Sequence, residues 1–404
     1  MTSTDIQSIL ELAKNADLEI RKRVWPGLKS LHEADPQGHQ DALAALVQHH
    51  QALQAMPHQV RSVADMAAIR AYAPFTAFEM AIEPGYDDVA NTAYLKAHQD
   101  IEHIALFELK GPAVLDIVQS GSWRSIALGA CELGPDTSAA LFGHPGLSAL
   151  HALRVEDGWC TESFVSAMTN SAHLSSLRDL ALTYGEGAPH FFPELARWPQ
   201  WKRLRALNMS FGGLEAQGIE ALAKLPAPPD LQHLHLGSNE MGDEGLQALA
   251  SSTWLDGLRV LMLGGDAFGG TNGIEDEGVV ALSQSPHLES LKVLDLAGNR
   301  IGDAGVKALA QAALPNLETL RLGSNYMGDA GAIALIQSGN MPRLRHLDLG
   351  HNSLADKTID ALIGSALLPQ LQTVTLIWNQ CSAEGLAALR EANPHLCTES
   401  VWTS

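Results

Sequence analysis

The sequence predicts an α/β solenoid, a stack of short parallel strands each followed by a helix, with an α-helical region at its N-terminus. The first observation is a repeat. Equivalent segments begin at Ile101, Trp123, Leu150, Leu177, Leu204, Leu231, Leu258, Leu291, Leu317, Leu344 and Leu371. These eleven starts are separated by 22, 27, 27, 27, 27, 27, 33, 26, 27 and 27 residues, a regularity that chance does not produce. The second is what each segment contains: a run of the form LxxLxLxxN, then one such as GDAGVKAL.

Within a repeat the elements follow in order. The first, fourth and sixth residues of LxxLxLxxN point inward from a short strand. Asn239, Asn299, Asn325, Asn352 and Asn379 come after it, where a side-chain amide satisfies backbone groups of neighbouring turns as a ladder. Asp243, Asp303 and Asp329 then suit helix N-caps. The pairs Leu246/Leu249, Val306/Leu309, Ile359/Leu362 and Leu386/Leu389 lie three apart, on one face of a short helix. A single strand and helix cannot bury their own apolar face. Stacked neighbours do, with a parallel sheet on the concave side and helices on the convex side.

This consensus, LxxLxLxxNxIGDxGxxAL, resembles the ribonuclease-inhibitor-like subfamily of leucine-rich repeats, which includes the Ran GTPase-activating proteins. The resemblance spans roughly residues 101–395 and is strongest from Leu204 onward. Before that the Asn position holds Leu109, Cys131, Gly158 and Gly185. The resemblance implies a horseshoe with the sheet lining its inner surface. It implies no single activity, because the scaffold serves inhibitors, receptors, adaptors and GTPase regulators.

Residues 1–100 do not fit the repeat. Ile6, Ile9, Leu10 and Ala13, and then Leu43, Leu46 and Val47, have amphipathic-helix spacing, punctuated by Pro36–Gly38, Pro57, Pro74 and Pro84–Gly85. The reading is a helical domain that caps the open end of the solenoid or serves as an interaction module. Residues 396–404 begin like another repeat at Leu396 but place Glu399 where an apolar residue belongs. That suits a charged edge cap or, alternatively, a dimer contact. The repeat beginning at Leu258 is six residues longer than the 27-residue spacing around it, and GGDAFGGTNGIEDEG follows Leu263. The 264–275 segment therefore reads as a loop, either a tolerated surface insertion or a contact element in which Phe268 and Asp266 meet a partner. Its carboxylates, Asp266, Glu275, Asp276 and Glu277, lack a calcium-loop pattern, and helix capping accounts for Asp276.

Composition narrows the function. Hydrophobic residues are 46 % and charged residues 18 %, so a large core is available. The net charge of −20 disfavours nucleic acid and favours a basic protein partner. No segment reads as a signal peptide or a membrane span, and the four cysteines form no CxxC pair. A cytoplasmic, monomeric protein is expected. Cys131 sits at the Asn position, and Cys160 and Cys381 sit at inward positions, so the thiols read as structural. No GxSxG, P-loop, GxGxxG or HExxH motif is present, and the expectation is a non-enzymatic protein without cofactor or metal.

Strand alternation puts the third and fifth residues of each repeat on the concave face. The third-position row includes His103, Ser125, His233, Val260, Val293, Thr319 and His346; the fifth includes Arg154, His235, Asp295, Arg321, Asp348 and Thr375. Asp295, Arg321 and Asp348 should fall side by side. They form either a charge-compensating ladder or a docking site for a Lys or Arg of the partner, aided by His346 and His351. His233 and His235 share a face but find no third metal ligand at the flanking positions. Tyr184, Phe211 and Trp378 occupy turns beside the sheet, as contact anchors or as packing between repeats. The expected function is a protein-binding inhibitor or adaptor; the alternative, which rests on the resemblance to the Ran regulators, is a GTPase activator.

Overall fold

The computed structural model describes residues 102–156, 160–183, 188–265 and 270–396, and the backbone of two short strands upstream of them. Thirteen strands are found among the described residues: β1 (His58–Val60), β2 (Phe78–Ile82), β3 (His103–Phe107), β4 (Ser125–Gly129), β5 (Ala152–Glu156), β6 (Asp179–Leu182), β7 (Ala206–Asn208), β8 (His233–His235), β9 (Val260–Met262), β10 (Val293–Asp295), β11 (Thr319–Arg321), β12 (His346–Asp348) and β13 (Thr373–Thr375). The helices are α1 (Gly111–Val118), α2 (Pro135–Phe142), α3 (Glu162–Thr169), α4 (Ala188–Arg197), α5 (Glu215–Ala223), α6 (Gly242–Ala250), α7 (Asp276–Ser283), α8 (Asp303–Leu309), α9 (Asp329–Gln337), α10 (Asp356–Ile363) and α11 (Ala383–Ala392). The chain divides into an N-terminal unit, Met1–Leu180, and a C-terminal unit, Ala181–Ser404.

In the N-terminal unit β1 to β5 pair in chain order, all parallel. Among the described residues the ladder therefore begins at His58, inside the segment that the spacing assigns to a helical domain. The segments HQV and FEMAI lack the LxxLxL framework, which is why the repeat pattern does not reveal them. The remaining helices expected there, and the expected edge cap after Leu396, lie outside the described residues. Further along, Phe142 and Phe164 from successive helices meet edge to face at 5.0 Å, and both are buried.

In the C-terminal unit β7 to β13 also pair in chain order and parallel. The fourth-position residues Leu207, Leu234, Leu261, Leu294, Leu320, Leu347 and Val374 are all buried. The helix pairs expected from spacing, from Leu246/Leu249 to Leu386/Leu389, close over them and are buried as well. Each such side chain contributes about 2 kcal/mol by leaving water, so every repeat adds its own share of core. Trp201 and Trp254 lie edge to face at 5.9 Å, and their indole N–H groups donate to Pro226 O and Leu225 O.

Two polar ladders run through this unit. In the first, each Asn gives its Nδ2 to the sixth-position carbonyls of its own and the preceding repeat, and its Oδ1 accepts a turn N–H of the preceding repeat. Asn325 does so toward Leu322 O and Leu296 O at 3.1 and 3.0 Å, with Ile301 N at 3.0 Å. The second corrects an expectation. Asp303 and Asp329 do not cap the helices that they begin, whose N-cap positions are Gly302 and Gly328 without a side-chain cap bond. Each carboxylate instead caps the helix of the next repeat. Asp276 Oδ1 accepts from Gly302 N and Gly305 N at 2.8 Å each, and Asp303 Oδ1 from Gly328 N at 2.8 Å and Gly331 N at 2.9 Å. Asp243 likewise accepts from Glu275 N at 2.8 Å.

The Gly of the DxG pattern is the counterpart of this bond. A Cβ on Gly305 would lie 2.7 Å from Asp276 Oδ1, and one on Gly331 would lie 2.8 Å from Asp303 Oδ1. Where Thr358 replaces that Gly, its hydroxyl donates to Asp329 Oδ1 at 2.6 Å and so turns the clash into a bond. A pattern that reads as local helix chemistry is thus an inter-repeat contact.

Candidate functional site

The register of β7 to β13 places the two open-face rows as the alternation predicts. Asn208, His235, Met262, Asp295, Arg321, Asp348 and Thr375 stand side by side, as do Ala206, His233, Val260, Val293, Thr319, His346 and Thr373. Arg321 Nη1 lies 3.2 Å from Asp295 Oδ2, and Asp295 Oδ1 also accepts from Ala297 N at 2.9 Å. Asp295 is 8 % exposed, so its charge is spent inside the row. Asp348, one strand further, is half-buried and accepts from Gly350 N at 3.0 Å. Burial, above all, pushes its carboxyl above the usual carboxylate range.

His346 is 5 % exposed, and its Nδ1 is 3.0 Å from Thr373 Oγ1. It braces β12 against β13 and leaves little surface for the docking role expected of it. Thr319 and Thr373 flank it in the row, on β11 and β13. His233 and His235 are half-buried and stand two residues apart on the same face of β8. Burial and the adjacent His233 hold His235 down to about 4, so its imidazole is neutral at physiological pH. No group of three or more His, Cys, Asp or Glu side chains suited to a metal occurs among the described residues.

The turns after the strands carry the exposed aromatic groups. Trp378 is 63 % exposed and stacks on His351 at 5.5 Å with 28° between the rings. Both sit at the eighth position of their repeats with φ of +55° and +53°. Tyr326, two positions beyond the equivalent turn residue Ser324, is 70 % exposed. The one sequence signal for it is a tyrosine where the neighbouring repeats hold Arg300, Ser353 and Gln380. Phe211 is half-buried at another such turn. Tyr184, Asp266 and Phe268 lie outside the described residues.

The long repeat also differs from its reading. Asn272 takes the place of the ladder amide: its Nδ2 donates to Leu236 O and Leu263 O at 2.9 Å each, and its Oδ1 accepts from Asn239 N at 2.7 Å. Asn272 and Ile274 are fully buried, so residues 270–275 belong to the repeat body and not to a loop. The ladder Asn follows the sixth-position Leu by three residues elsewhere, as in Leu236 to Asn239, and by nine in Leu263 to Asn272. All six extra residues therefore fall between Leu263 and Asn272. The excursion starts at a tight neck, because a Cβ on Gly265 would lie 2.7 Å from Gly298 O.

Burial raises the three described thiols, Cys131, Cys160 and Cys381, above the usual range and so favours their protonated form. Cys131 Sγ is 3.3 Å from Leu106 O, and burial pushes Cys160 up to about 12 and Cys381 up to about 11. No described helix is long and apolar enough to cross a membrane.

Comparison with known proteins fits this architecture. A family model described as a leucine-rich repeat matches residues 227–250, 287–310 and 313–335. No curated protein matches the chain. Among solved structures, a chain of the yeast Rad7–Elc1 complex is similar over 72 % of this chain and 75 % of its own, with 17 % identity and a TM-score of 0.50. An internalin from Listeria monocytogenes covers 73 % of each chain at 18 % identity and a TM-score of 0.36. The chain carries leucine-rich repeats, and its fold class is the α/β leucine-rich-repeat solenoid.

Proposed function

We propose that the chain is a non-enzymatic protein-binding module, of the ribonuclease-inhibitor-like kind in its repeat pattern, that engages a basic partner through the open face of β10 to β13 and the turns beyond them. The observation that carries this reading is Asp348 in the row beside β13, with the exposed His351–Trp378 stack and Tyr326 on the turns above the same strands. A partner's Lys or Arg meets a carboxylate there and an aromatic face on which to lie. A cation over an exposed aromatic ring contributes about 0.5–1 kcal/mol, and a half-buried carboxylate adds a charge-assisted bond. The yeast neighbour is named as one of two proteins in a complex, in keeping with a scaffold that holds a partner. A GTPase-activating role gains no support, since Arg321, the one arginine of these rows in the C-terminal unit, is bound to Asp295.

The test compares wild type with Asp348→Lys and Trp378→Ala in pull-downs from native lysate, followed by titration of the purified captured protein. A basic protein retained by wild type, lost by Asp348→Lys and weakened several-fold by Trp378→Ala is the expected result. Its affinity should fall with salt. It should also fall as pH drops through the raised value of Asp348, because the neutral acid no longer attracts a cation, and Asp348→Asn should abolish that pH dependence. Equal capture by all variants overturns the proposal.

A further inference from the structure

A second charged feature of the C-terminal unit has the opposite sign and lies at the other end of the strands. The second residue of each repeat is, in order, Arg205, Gln232, Arg259, Lys292, Glu318, Arg345 and Gln372. The carbonyl of each accepts from the same position on the next strand, from Gln232 N to Arg205 O at 2.8 Å to Gln372 N to Arg345 O at 2.7 Å, so the seven form one column. In a chain with 46 acidic and 26 basic residues, this column holds four cations against one acid. That acid, Glu318, is already taken by Lys292 Nζ at 2.6 Å.

At its end the column borders a cavity of about 370 Å³, lined by Arg343, Arg345, His395 and Gln372 between Pro342 and Pro369. Arg343 and Arg345 are exposed, and neither makes an ion pair among the described residues. Two unpaired guanidinium groups beside one hollow, in a molecule with carboxylates to spare, are a built preference for an anion. The donor set identifies the kind. The backbone N–H groups of Arg345 and Gln372 are used up in the column, donating to Glu318 O and Arg345 O. The cavity therefore does not offer the cluster of free amides with which phosphate sites are commonly made. It offers planar forks and a side-chain amide, which match a carboxylate, and proline walls, which suit the methylene stem of an acidic side chain.

We propose that this column and its cavity bind an acidic peptide segment of a partner protein. One Asp or Glu carboxylate sits between Arg343 and Arg345, and a further carboxylate reaches Arg259, past the paired Lys292 and Glu318. Arg345 and Arg259 are three strands apart, about 14 Å, which an extended peptide spans in about four residues. The site is separate from the acidic open face and does not depend on what that face binds.

The test is fluorescence anisotropy of a labelled hexaglutamate peptide with the full chain. The wild type is compared with Arg343→Glu/Arg345→Glu and with Asp348→Lys, each checked for folding by circular dichroism, and inorganic phosphate serves as competitor. The wild type should bind the peptide with an affinity that falls as salt rises. The arginine reversal should weaken binding at least tenfold, Asp348→Lys should leave it within twofold, and phosphate at the peptide's charge concentration should not displace it. Absent binding by wild type, equal binding by the folded arginine variant, or displacement by phosphate overturns the proposal. If the reversal does not fold, Arg343→Gln/Arg345→Gln takes its place, with a loss of at least fivefold expected and an unchanged affinity overturning it.

Discussion

In the N-terminal unit the eighth residue of the repeat is Glu108 or Ala130, in the C-terminal unit Ser324, His351 or Trp378, and all five stand at φ between +49° and +56°. The backbone bond from this residue to the next repeat is shared too: Glu108 N donates to Gly129 O at 2.8 Å, as Ser324 N does to Gly350 O at 2.8 Å. The ninth residue is what differs. Leu109 is buried hydrocarbon, and Cys131 reaches Leu106 O, the kind of carbonyl that an Asn Nδ2 takes elsewhere. A thiol is a weak donor and a weak acceptor, so it replaces either side of the amide poorly. The turn is therefore a property of the backbone, and the asparagine is a reinforcement laid over it, fixing each repeat to the one before. The amide ladder runs through the repeats that present His351, Trp378 and the charged row.

The sharpest way to break this comparison is to remove one amide and one thiol. Asn239 accepts from Gly212 N at 2.9 Å and donates to Met209 O and Leu236 O at 2.9 and 3.0 Å, all buried. Asn239→Leu strands these groups, each costing about 1–3 kcal/mol, so a loss of about 3 kcal/mol or more is expected. Cys131→Ala should cost about 1 kcal/mol, for a weak bond and a small void. Urea unfolding of the full chain measures both, and equal costs would mean that the amide reinforces nothing. Next in size is Asp303→Ala, expected at about 1–2 kcal/mol, the value of a lost helix cap. Its location matters more than its size. Amide exchange should accelerate at Gly328 and Gly331 in the following repeat, and acceleration confined to the first turn of α8 would contradict the inter-repeat assignment.

Much of the repeat body was legible because its signals are periodic. The Leu framework, the helix pairs and the two open-face rows follow from spacing alone, and Asp295 and Arg321 meet as that spacing requires. What escaped depends on contacts between repeats, which no single repeat displays. Asp303 resembles a cap for its own helix until the neighbouring helix is in view. Asn272 was hidden because six added residues moved it away from the expected position. His346 was read as surface because alternation gives a direction, not an exposure. The strands at His58–Val60 and Phe78–Ile82 lack the leucines by which repeats are recognised. For the candidate site, the row of charges was legible and the exposed Tyr326 was not, since one aromatic residue in a variable turn position carries no periodic signal.

The smallest expected effect has the opposite sign and bears on why the open face of the C-terminal unit is quiet in its middle. Thr319 is 2 % exposed, in the same row as the buried Val260 and Val293, and its Oγ1 has no hydrogen-bond partner among the described residues. Beyond it in the row, His346 spends its Nδ1 on Thr373. A buried hydroxyl without a partner carries a desolvation cost that a methyl group of nearly the same volume does not. Thr319→Val should therefore raise stability by about 0.5–1 kcal/mol, seen as a higher urea midpoint with an unchanged slope. The substitution leaves the Asp348–His351–Trp378 region untouched, so capture of a basic partner should not change. A loss of stability would show that the hydroxyl is satisfied after all, and that this row is held by polar bonds where valine packing is now inferred.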